Sequence, residues 1–144
     1  MQDGGQKSQG VLSELMVAAE LVRHGFGVSW PIGDCERYDL IATHDSTTRR
    51  IQVKGTATKT KHGTYRIAFC HGHSSKVRYT ADEVDFAIAV IFYTGGPAYY
   101  VIPVGETSKQ WRATFFAPGR HPKFPKKWKT CKWEPYRDRW DLLR

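Results

Sequence analysis

Two short stretches decide the fold of this chain: Tyr38-Asp39-Leu40-Ile41 and, after a turn, Arg50-Ile51-Gln52-Val53-Lys54. Their β-branched and other apolar residues are typical of two strands joined in a hairpin. Gln52 and Lys54 are two positions apart, so their side chains point to the same face of a strand. If the hairpin forms, Asp39 approaches this pair, and a carboxylate, an amide and an ammonium group come together beside apolar neighbours.

Around the hairpin, hydrophobic periodicity predicts one helix followed by further strands. Apolar residues recur at helical spacing over about 8–24, and Gly25 follows at the position of a helix-ending glycine. This order predicts an α/β (α+β) fold in which an N-terminal helix precedes a mixed central β-sheet. The sequence predicts strands at 26–30, 38–43, 49–56, 64–70, 84–93 and 98–104, and short helices near 80–83 and 107–111.

The last part of the chain, about 105–144, differs in composition from the rest. After Ala117 it is rich in Pro, Lys and Trp, which predicts a basic C-terminal extension. A closing helix is expected over 134–143, because Pro135 suits a first helical turn. We expect one stripe of this extension to dock on the body or to join subunits: Trp133, Tyr136, Trp140 and Leu143, with Trp111, Phe115 and Phe116 as further contacts.

Length and composition indicate one globular domain, 1–144, with a core over about 8–104. The chain has 144 residues, of which 40% are hydrophobic and 25% charged, which excludes a disordered or fibrous chain. The longest apolar run, Phe86 to Tyr93, is far shorter than the ~20 residues that cross a bilayer. The first residues lack the features of a signal peptide, and the three cysteines form no CxxC pair. We therefore expect a cytoplasmic protein with no membrane partner.

Positive charge is the most informative feature of the composition. Lys and Arg number 22 against 14 Asp and Glu, a net charge of +8, and no acid occurs over 46–81 or 120–132. A basic domain of this kind attracts polyanions, above all nucleic acid, unless its charge is only a solvated surface. We expect phosphate contacts from Arg49, Arg50, Lys59, Lys61, Arg66, Lys76, Arg78, Lys123, Lys126, Lys127 and Lys129.

Two acidic residues could form a metal site beside Lys54. Glu14 lies in the predicted helix amid apolar residues, where an unpaired carboxylate is unfavourable. If Glu14 and Asp39 share a cation, their repulsion is relieved, and oxygen ligands suit Mg²⁺. Lys54 could hold a scissile phosphate or stabilise charge on an attacking water, so the residues indicate metal-assisted phosphodiester hydrolysis. The alternatives are a structural salt bridge between Asp39 and Lys54, and Glu20 in place of Glu14.

The same residues resemble the PD-(D/E)XK nuclease motif, in the branch of group I intron homing endonucleases and related small bacterial endonucleases. The resemblance spans about residues 8–104. Tyr38 replaces the proline of the family pattern, and Gln52 replaces its middle acid. The intron endonucleases resemble this chain in using Gln there, so we interpret it as an active variant. The stretches that carry the resemblance are Ser13 to Ala19 with Gly25-Phe26, Tyr38 to Ile41 with Ile51 to Lys54, and Tyr79 to Phe86 with Val101-Ile102-Pro103.

The resemblance implies a restriction-endonuclease-like core and a Mg²⁺-dependent DNA endonuclease in which Mn²⁺ can substitute. It implies that Glu14, Asp39, Gln52 and Val53 hold the cation. Lys54 would complete the catalytic set of Glu14, Asp39 and Gln52 by stabilising the transition state or activating water. The implied substrate is double-stranded DNA, cut at a specific site of the homing type. Because one active site cuts one strand, we expect a homodimer or, as in the resembling endonucleases, a homotetramer.

Other functions fit the same sequence features. A Holliday-junction resolvase, or a repair or restriction nuclease, would share this core. A catalytically silent DNA-binding module would keep the fold and the basic surface, and would bind DNA in EDTA without Mg²⁺-stimulated cutting. A zinc site at Cys70-His71-Gly72-His73 is not favoured, because no second ligand pair accompanies it. Each DNA-binding alternative predicts association with the nucleoid.

Overall fold

The structure is built on a five-stranded mixed sheet, covered on one face by a helix and on the other by a two-stranded ribbon. The computed structural model describes residues 3–72, 74–117 and 127–144. The predicted α/β (α+β) order, with a helix before a mixed sheet, is confirmed. The elements are α1 (Asp3–Arg23), β1 (Gly27–Ser29), β2 (Leu40–His44), β3 (Thr47–Thr56), β4 (Thr64–Ala68), β5 (Cys70–His71), β6 (Val77–Arg78), β7 (Phe86–Tyr93), β8 (Gly96–Pro103), α2 (Val104–Lys109), β9 (Arg112–Phe116) and 3₁₀ segments Lys127–Thr130, Glu134–Tyr136 and Trp140–Leu143.

The central sheet has the strand order β1-β2-β3-β7-β8. Strands β3 and β7 run parallel, and the other neighbours are antiparallel. The predicted hairpin is formed by β2 and β3, with Leu40 opposite Ile51. Strand β7 is buried continuously from Phe86 to Ile91, because both faces of the sheet are covered there.

The two faces of the sheet form two separate hydrophobic cores. The α1 side contains Ile51 and Val53 of β3, so the alternate residues Gln52 and Lys54 belong to the opposite, ribbon side. The register agrees, since Gln52 lies beside Ala87 and Lys54 beside Ala89, and both alanines belong to the ribbon-side core. The other members of that core include Phe69, Phe115 and Trp133.

The C-terminal extension wraps around the free edge of β8. Arg137 forms a β-bridge with Tyr100, and the Asp138 N–H donates to the Tyr99 carbonyl at 3.0 Å. The prediction of one stripe on one closing helix is therefore wrong. Two 3₁₀ segments serve opposite faces, with Trp133 in the ribbon-side core and Trp140 and Leu143 in the α1-side core. The chain turns between them at Asp138, which adopts a left-handed φ of 52°.

Further elements differ from the sequence prediction: α1 begins at Asp3 and not near residue 8, and the two-residue strand β6 is not among the predicted strands. Strand β9 is also missing from the prediction, because its five residues follow α2 directly and pair with the distant β4. Residues 80–83 form a single turn and no helix, although the predicted cap is present. The Glu83 carboxylate accepts the Thr80 N–H at 3.2 Å, and the Val84 N–H donates to the Thr80 carbonyl at 3.0 Å. Within the described ranges, no helix is long and apolar enough to cross a membrane.

Helix α1 and strand β3 pack closely against each other at Ser13 and Gly55. A Cβ atom on Gly55 would lie 1.9 Å from Ser13 Oγ and 2.9 Å from Ser13 Cβ, so only glycine fits. Ser13 is itself buried, and its hydroxyl donates to the Gln9 carbonyl at 2.8 Å. Because Glu14 follows Ser13 and Lys54 precedes Gly55, this contact fixes how far apart the two predicted site residues lie.

We predict that Gly55→Ala lowers the free energy of unfolding by about 1–3 kcal/mol, because the new methyl group overpacks the contact with Ser13. Adding Ser13→Gly removes both contacting atoms, so the two changes together should be less harmful than their sum. Urea denaturation of the four proteins of this double-mutant cycle measures the coupling.

The matched control is Gly10→Ala in α1, where an added Cβ meets no atom within 4 Å. It should stabilise the protein by up to about 1 kcal/mol through helix propensity. Strictly additive effects of Gly55→Ala and Ser13→Gly would refute the steric constraint.

Candidate active site

Asp39 is fixed at the start of the hairpin by the backbone of β3. Its own N–H donates to the Ile51 carbonyl at 2.8 Å, and its Oδ2 accepts the Val53 N–H at 2.7 Å. The Gln52 amide nitrogen donates to the same oxygen at 2.6 Å. Burial raises the pKa of Asp39 above its usual value, although the Val53 N–H, the Lys54 charge and the Gln52 amide act in the opposite direction. The Asp39 carboxylate is therefore held in place by hydrogen bonds, but burial makes its charged form unfavourable.

Glu14 reaches the same place from α1. Burial raises the pKa of Glu14, and the negative charge of Asp39 raises it further. The rival Glu20, two turns later on the helix, instead pairs with Arg23 at 2.9 Å and lies 3.8 Å from His24. Of the two candidate carboxylates on α1, Glu14 is the one that shares an electrostatic environment with Asp39.

Lys54 completes the cluster beside an aromatic side chain that the sequence analysis gave no role. Its Nζ lies 5.7 Å from the centre of the Tyr79 ring, a cation–π contact, and its charge acts on Asp39. Tyr79 is buried, and burial together with the Asp39 charge raises the pKa of its hydroxyl well above the usual range. A neutral ring therefore lies beside the ammonium group, and Lys54 is not committed to a direct ion pair with Asp39 in this structure.

Tyr38, the residue in place of the family's proline, has a packing role. It is half-buried against a small cluster of Tyr79, Val84 and Val104. Asp85, which immediately precedes β7, is held to β3 by Arg50, whose guanidinium and backbone N–H both donate to its carboxylate. Although burial alone would raise it, these hydrogen bonds hold the pKa of Asp85 below its usual value. Because Tyr79 packs on Val84, and the neighbouring Asp85 is bonded to Arg50 of β3, Tyr79 is held beside the strand that carries Lys54.

The oxygen atoms of this cluster suit a hard divalent cation. The Gln52 amide nitrogen lies within hydrogen-bond distance of Asp39 Oδ2 and also of the Val53 carbonyl, at 3.2 Å, so the two oxygens converge on one point. A half-turn of the amide would present its oxygen there instead. With Glu14, the set comprises two carboxylates and two neutral oxygens, which fits Mg²⁺. Across the described parts of the chain, no group of three or more His, Cys, Asp or Glu could hold a metal. This set has two such side chains, Glu14 and Asp39, and takes its other oxygens from Gln52 and Val53.

The residues predicted to contact phosphate fall into three groups. Arg49 and Arg50 are engaged within the protein, Arg49 with the Leu143 and Arg144 carbonyls and Arg50 with Asp85. Lys123 and Lys126 lie outside the described residues, as does His73 of the disfavoured zinc site. Contact with DNA stays a prediction for the remaining residues, which are all exposed: Lys59, Lys61, Arg66, Lys76, Arg78, Lys127 and Lys129.

Comparison with known proteins relates this geometry to a nuclease family. The family model described as PD-(D/E)XK endonuclease matches residues 5–122. A solved structure of a bacterial homing endonuclease, I-Ssp6803I, is similar with a TM-score of 0.78 and 22% sequence identity, over 95% of this chain and 91% of that one. No curated protein matches significantly. The structural similarity establishes a shared restriction-endonuclease-like fold.

We predict that Asp39→Asn stabilises the metal-free protein at neutral pH. A carboxyl whose pKa is raised by folding contributes stability at low pH, and this stability is lost as the pH rises through the raised pKa. Asparagine keeps an acceptor for the Val53 N–H and carries no charge. The melting temperature in EDTA at pH 7 should rise by a few degrees, since about 1 kcal/mol corresponds to roughly 2–8 °C in domains of this size.

The gain should shrink as the pH falls toward 3.8, the ordinary pKa of aspartate. The exposed Asp34 provides the matched control, and Asp34→Asn should leave the melting temperature unchanged. An Asp39→Asn variant that melts at or below the wild-type temperature at pH 7 would show that the charge is not strained.

Proposed function

The chain belongs to the PD-(D/E)XK endonuclease family, a membership that supports a nuclease acting on DNA. On this premise we propose that it is a Mg²⁺-dependent endonuclease that hydrolyses phosphodiester bonds in double-stranded DNA, with Mn²⁺ able to replace Mg²⁺. One observation carries the proposal. The half-buried Asp39 carboxylate, its pKa raised, lies beside Glu14, Lys54 and two further oxygen atoms, those of the Gln52 amide and the Val53 carbonyl. A cation is what such a cluster lacks to balance its charge.

In the proposed mechanism each residue has a separate task. Asp39 and Glu14, with the Gln52 amide oxygen and the Val53 carbonyl, would hold the cation. A bound divalent cation supplies positive charge to the scissile phosphate and makes a water molecule more acidic. Lys54, steadied by Tyr79, places its ammonium where negative charge develops on the phosphate. Because Gln52 is neutral, this site carries one negative charge fewer than a site with an acid at that position.

Cutting of the homing type is the finer part of the proposal. It is supported by the shared fold, since I-Ssp6803I is a bacterial homing endonuclease. It also agrees with the exposed basic residues Lys59 and Lys61 in the loop after β3, close along the chain to Lys54. Contacts of this kind to phosphates position the duplex and make binding depend on salt.

The test is cleavage of supercoiled plasmid with and without Mg²⁺, measured as nicked plus linear product. Lys54→Ala and Asp39→Ala should each reduce the rate by at least about 10²-fold, because groups that act in the transition state are lost. DNA affinity, measured with Ca²⁺ in place of Mg²⁺, should stay within about tenfold of wild type, because the surrounding basic surface remains.

Lys109→Ala is the matched control, since this exposed lysine of α2 pairs with Glu106 at 3.1 Å and has no place in the site. Full activity in either site variant would refute the assignment. Wild-type binding in EDTA without Mg²⁺-stimulated cutting would indicate a silent DNA-binding module, and cleavage confined to four-way junctions would indicate a resolvase.

We also propose that copies of the chain associate through α1, because a double-strand break needs two active sites. Of the expected contacts in the extension, Phe115, Trp133, Trp140 and Leu143 are buried in the cores and are not available. The others, Trp111, Phe116 and Tyr136, are only partly exposed. Exposed apolar side chains occur instead on the outer face of α1 and next to β1. They include Leu15 and Val22, 55% and 61% exposed, and Trp30, 48% exposed. A groove of about 560 Å³ joins them, and a contiguous apolar surface of this kind favours burial against a second copy.

Light scattering should therefore give a mass of at least twice the 16.5 kDa of one chain. Val22→Glu should shift the protein to the monomer, because it places a charge in the apolar contact. The equivalent change Val77→Glu alters a residue that is 49% exposed in β6 and should leave the mass unchanged. A wild-type mass near 16.5 kDa, with and without DNA, would contradict the proposed association.

A further inference from the structure

Strands β4 and β9 form a rigid antiparallel ribbon with one buried face and one open face. The inner face is anchored by Tyr65, Ile67 and Phe115, and the Phe115 ring packs 4.7 Å from that of Tyr100 in the central sheet. The outer face is formed by the alternate residues of each strand, and Arg66 and Arg112 on it are exposed. Because the inner face is buried, the direction in which the outer side chains point is fixed.

The outer face of this ribbon has the chemistry of a nucleic-acid surface. Arg66 lies opposite Thr114, and Arg112 lies opposite Ala68, so the two guanidinium groups are diagonal neighbours. They line a shallow groove of about 520 Å³ together with Thr114. Neither strand contains an acidic residue. Arg112 stacks on Trp111, with its guanidinium carbon 4.5 Å from the ring centre. This contact restrains the orientation of the Arg112 guanidinium group.

The ribbon lies on the side of the central sheet that carries Gln52 and Lys54 of the catalytic cluster, whereas Glu14 reaches the cluster from α1 on the other side. Gln52 and Lys54 point to the ribbon side of β3, and β3 leads through a short loop directly into β4. DNA whose scissile phosphate lay at Lys54 would therefore pass along this side of the molecule. A two-stranded β-ribbon has the width that the major groove of B-DNA admits.

We infer that the outer face of the β4–β9 ribbon enters the major groove and reads base edges, with Arg66 and Arg112 as the specificity-determining residues. Arginine binds guanine with both arms of its fork, to O6 and N7, and this is the commonest specific contact to a base. Diagonal neighbours in an antiparallel pair are roughly 7–8 Å apart, about two steps of the ~3.4 Å rise between bases. The inference rests on the proposed function for its ligand, and it predicts two guanine preferences about two base pairs apart.

The test uses a pool of double-stranded oligonucleotides with a randomised segment. The bound fraction is selected with Ca²⁺, the cleaved fraction with Mg²⁺, and both are sequenced. Arg66→Ala should reduce the preference for guanine at one position by roughly 5- to 150-fold, and Arg112→Ala should do so at the other. Arg66→Lys keeps the charge and loses the fork, so it should lose the same preference at nearly unchanged affinity.

Lys59→Ala is the matched control, because a phosphate contact carries no sequence information. It should weaken binding to all sequences alike and lower the salt slope by about 0.9. Both arginines are exposed, so thermal melting should show that the variants stay folded. Sequence profiles of the arginine variants that superimpose on wild type, or a wild-type profile without the two guanines, would overturn the inference even if the enzyme cuts DNA. If the wild type selects these sequences but never cleaves them, the proposed nuclease activity is overturned, whereas base recognition by the β4–β9 ribbon is supported.

Discussion

The contact between Ser13 and Gly55 is the constraint on which the site depends. Helix α1 can carry Glu14 to the hairpin only because β3 has no Cβ at the point where the two elements meet, 1.9 Å from Ser13 Oγ if one were present. Lys54 immediately precedes Gly55 in β3, and its side chain faces the side of the sheet opposite the α1 core. A larger residue in place of Ser13 or Gly55 would push α1 away from β3 and move Glu14 away from Asp39.

The second governing feature is the energetic cost of the carboxylates. Asp39 receives two hydrogen bonds at one oxygen and still has a raised pKa, because burial outweighs them. Burial and the negative charge of Asp39 both raise the pKa of Glu14. Groups of this kind weaken a fold at neutral pH, and proteins keep them where function needs them. The strands around the two carboxylates are held by specific contacts: Arg50 pairs with Asp85, and β2 and β3 are paired along the hairpin.

The remaining architecture leaves one face of the molecule free for a partner. Two tryptophans of the C-terminal extension are buried in the cores, Trp133 on one side of the sheet and Trp140 on the other. The ribbon buries its aromatic face and turns its arginines outward. Apolar side chains that remain exposed are concentrated on α1 and near Trp30, away from the ribbon side of the sheet. The exposed arginines of the ribbon and the exposed apolar side chains of α1 thus lie on opposite sides of the central sheet.

The sequence by itself determined the hairpin, the fold class and the shared strand face of Gln52 and Lys54, because period-two patterns and residue spacing are local properties of a strand. It also determined the N-terminal helix, but it assigned no role to Tyr79, which lies beside Lys54 only because it packs with residues distant in the chain, Val104 among them. Tertiary structure alone decided that Trp133 and Trp140 serve opposite cores, since the chain crosses the β8 edge between them. It alone placed β9, whose partner β4 lies far away in the chain. It also distinguished Arg50, which Asp85 holds within the protein, from the exposed Arg66, because a charge in a sequence does not reveal which groups will surround it.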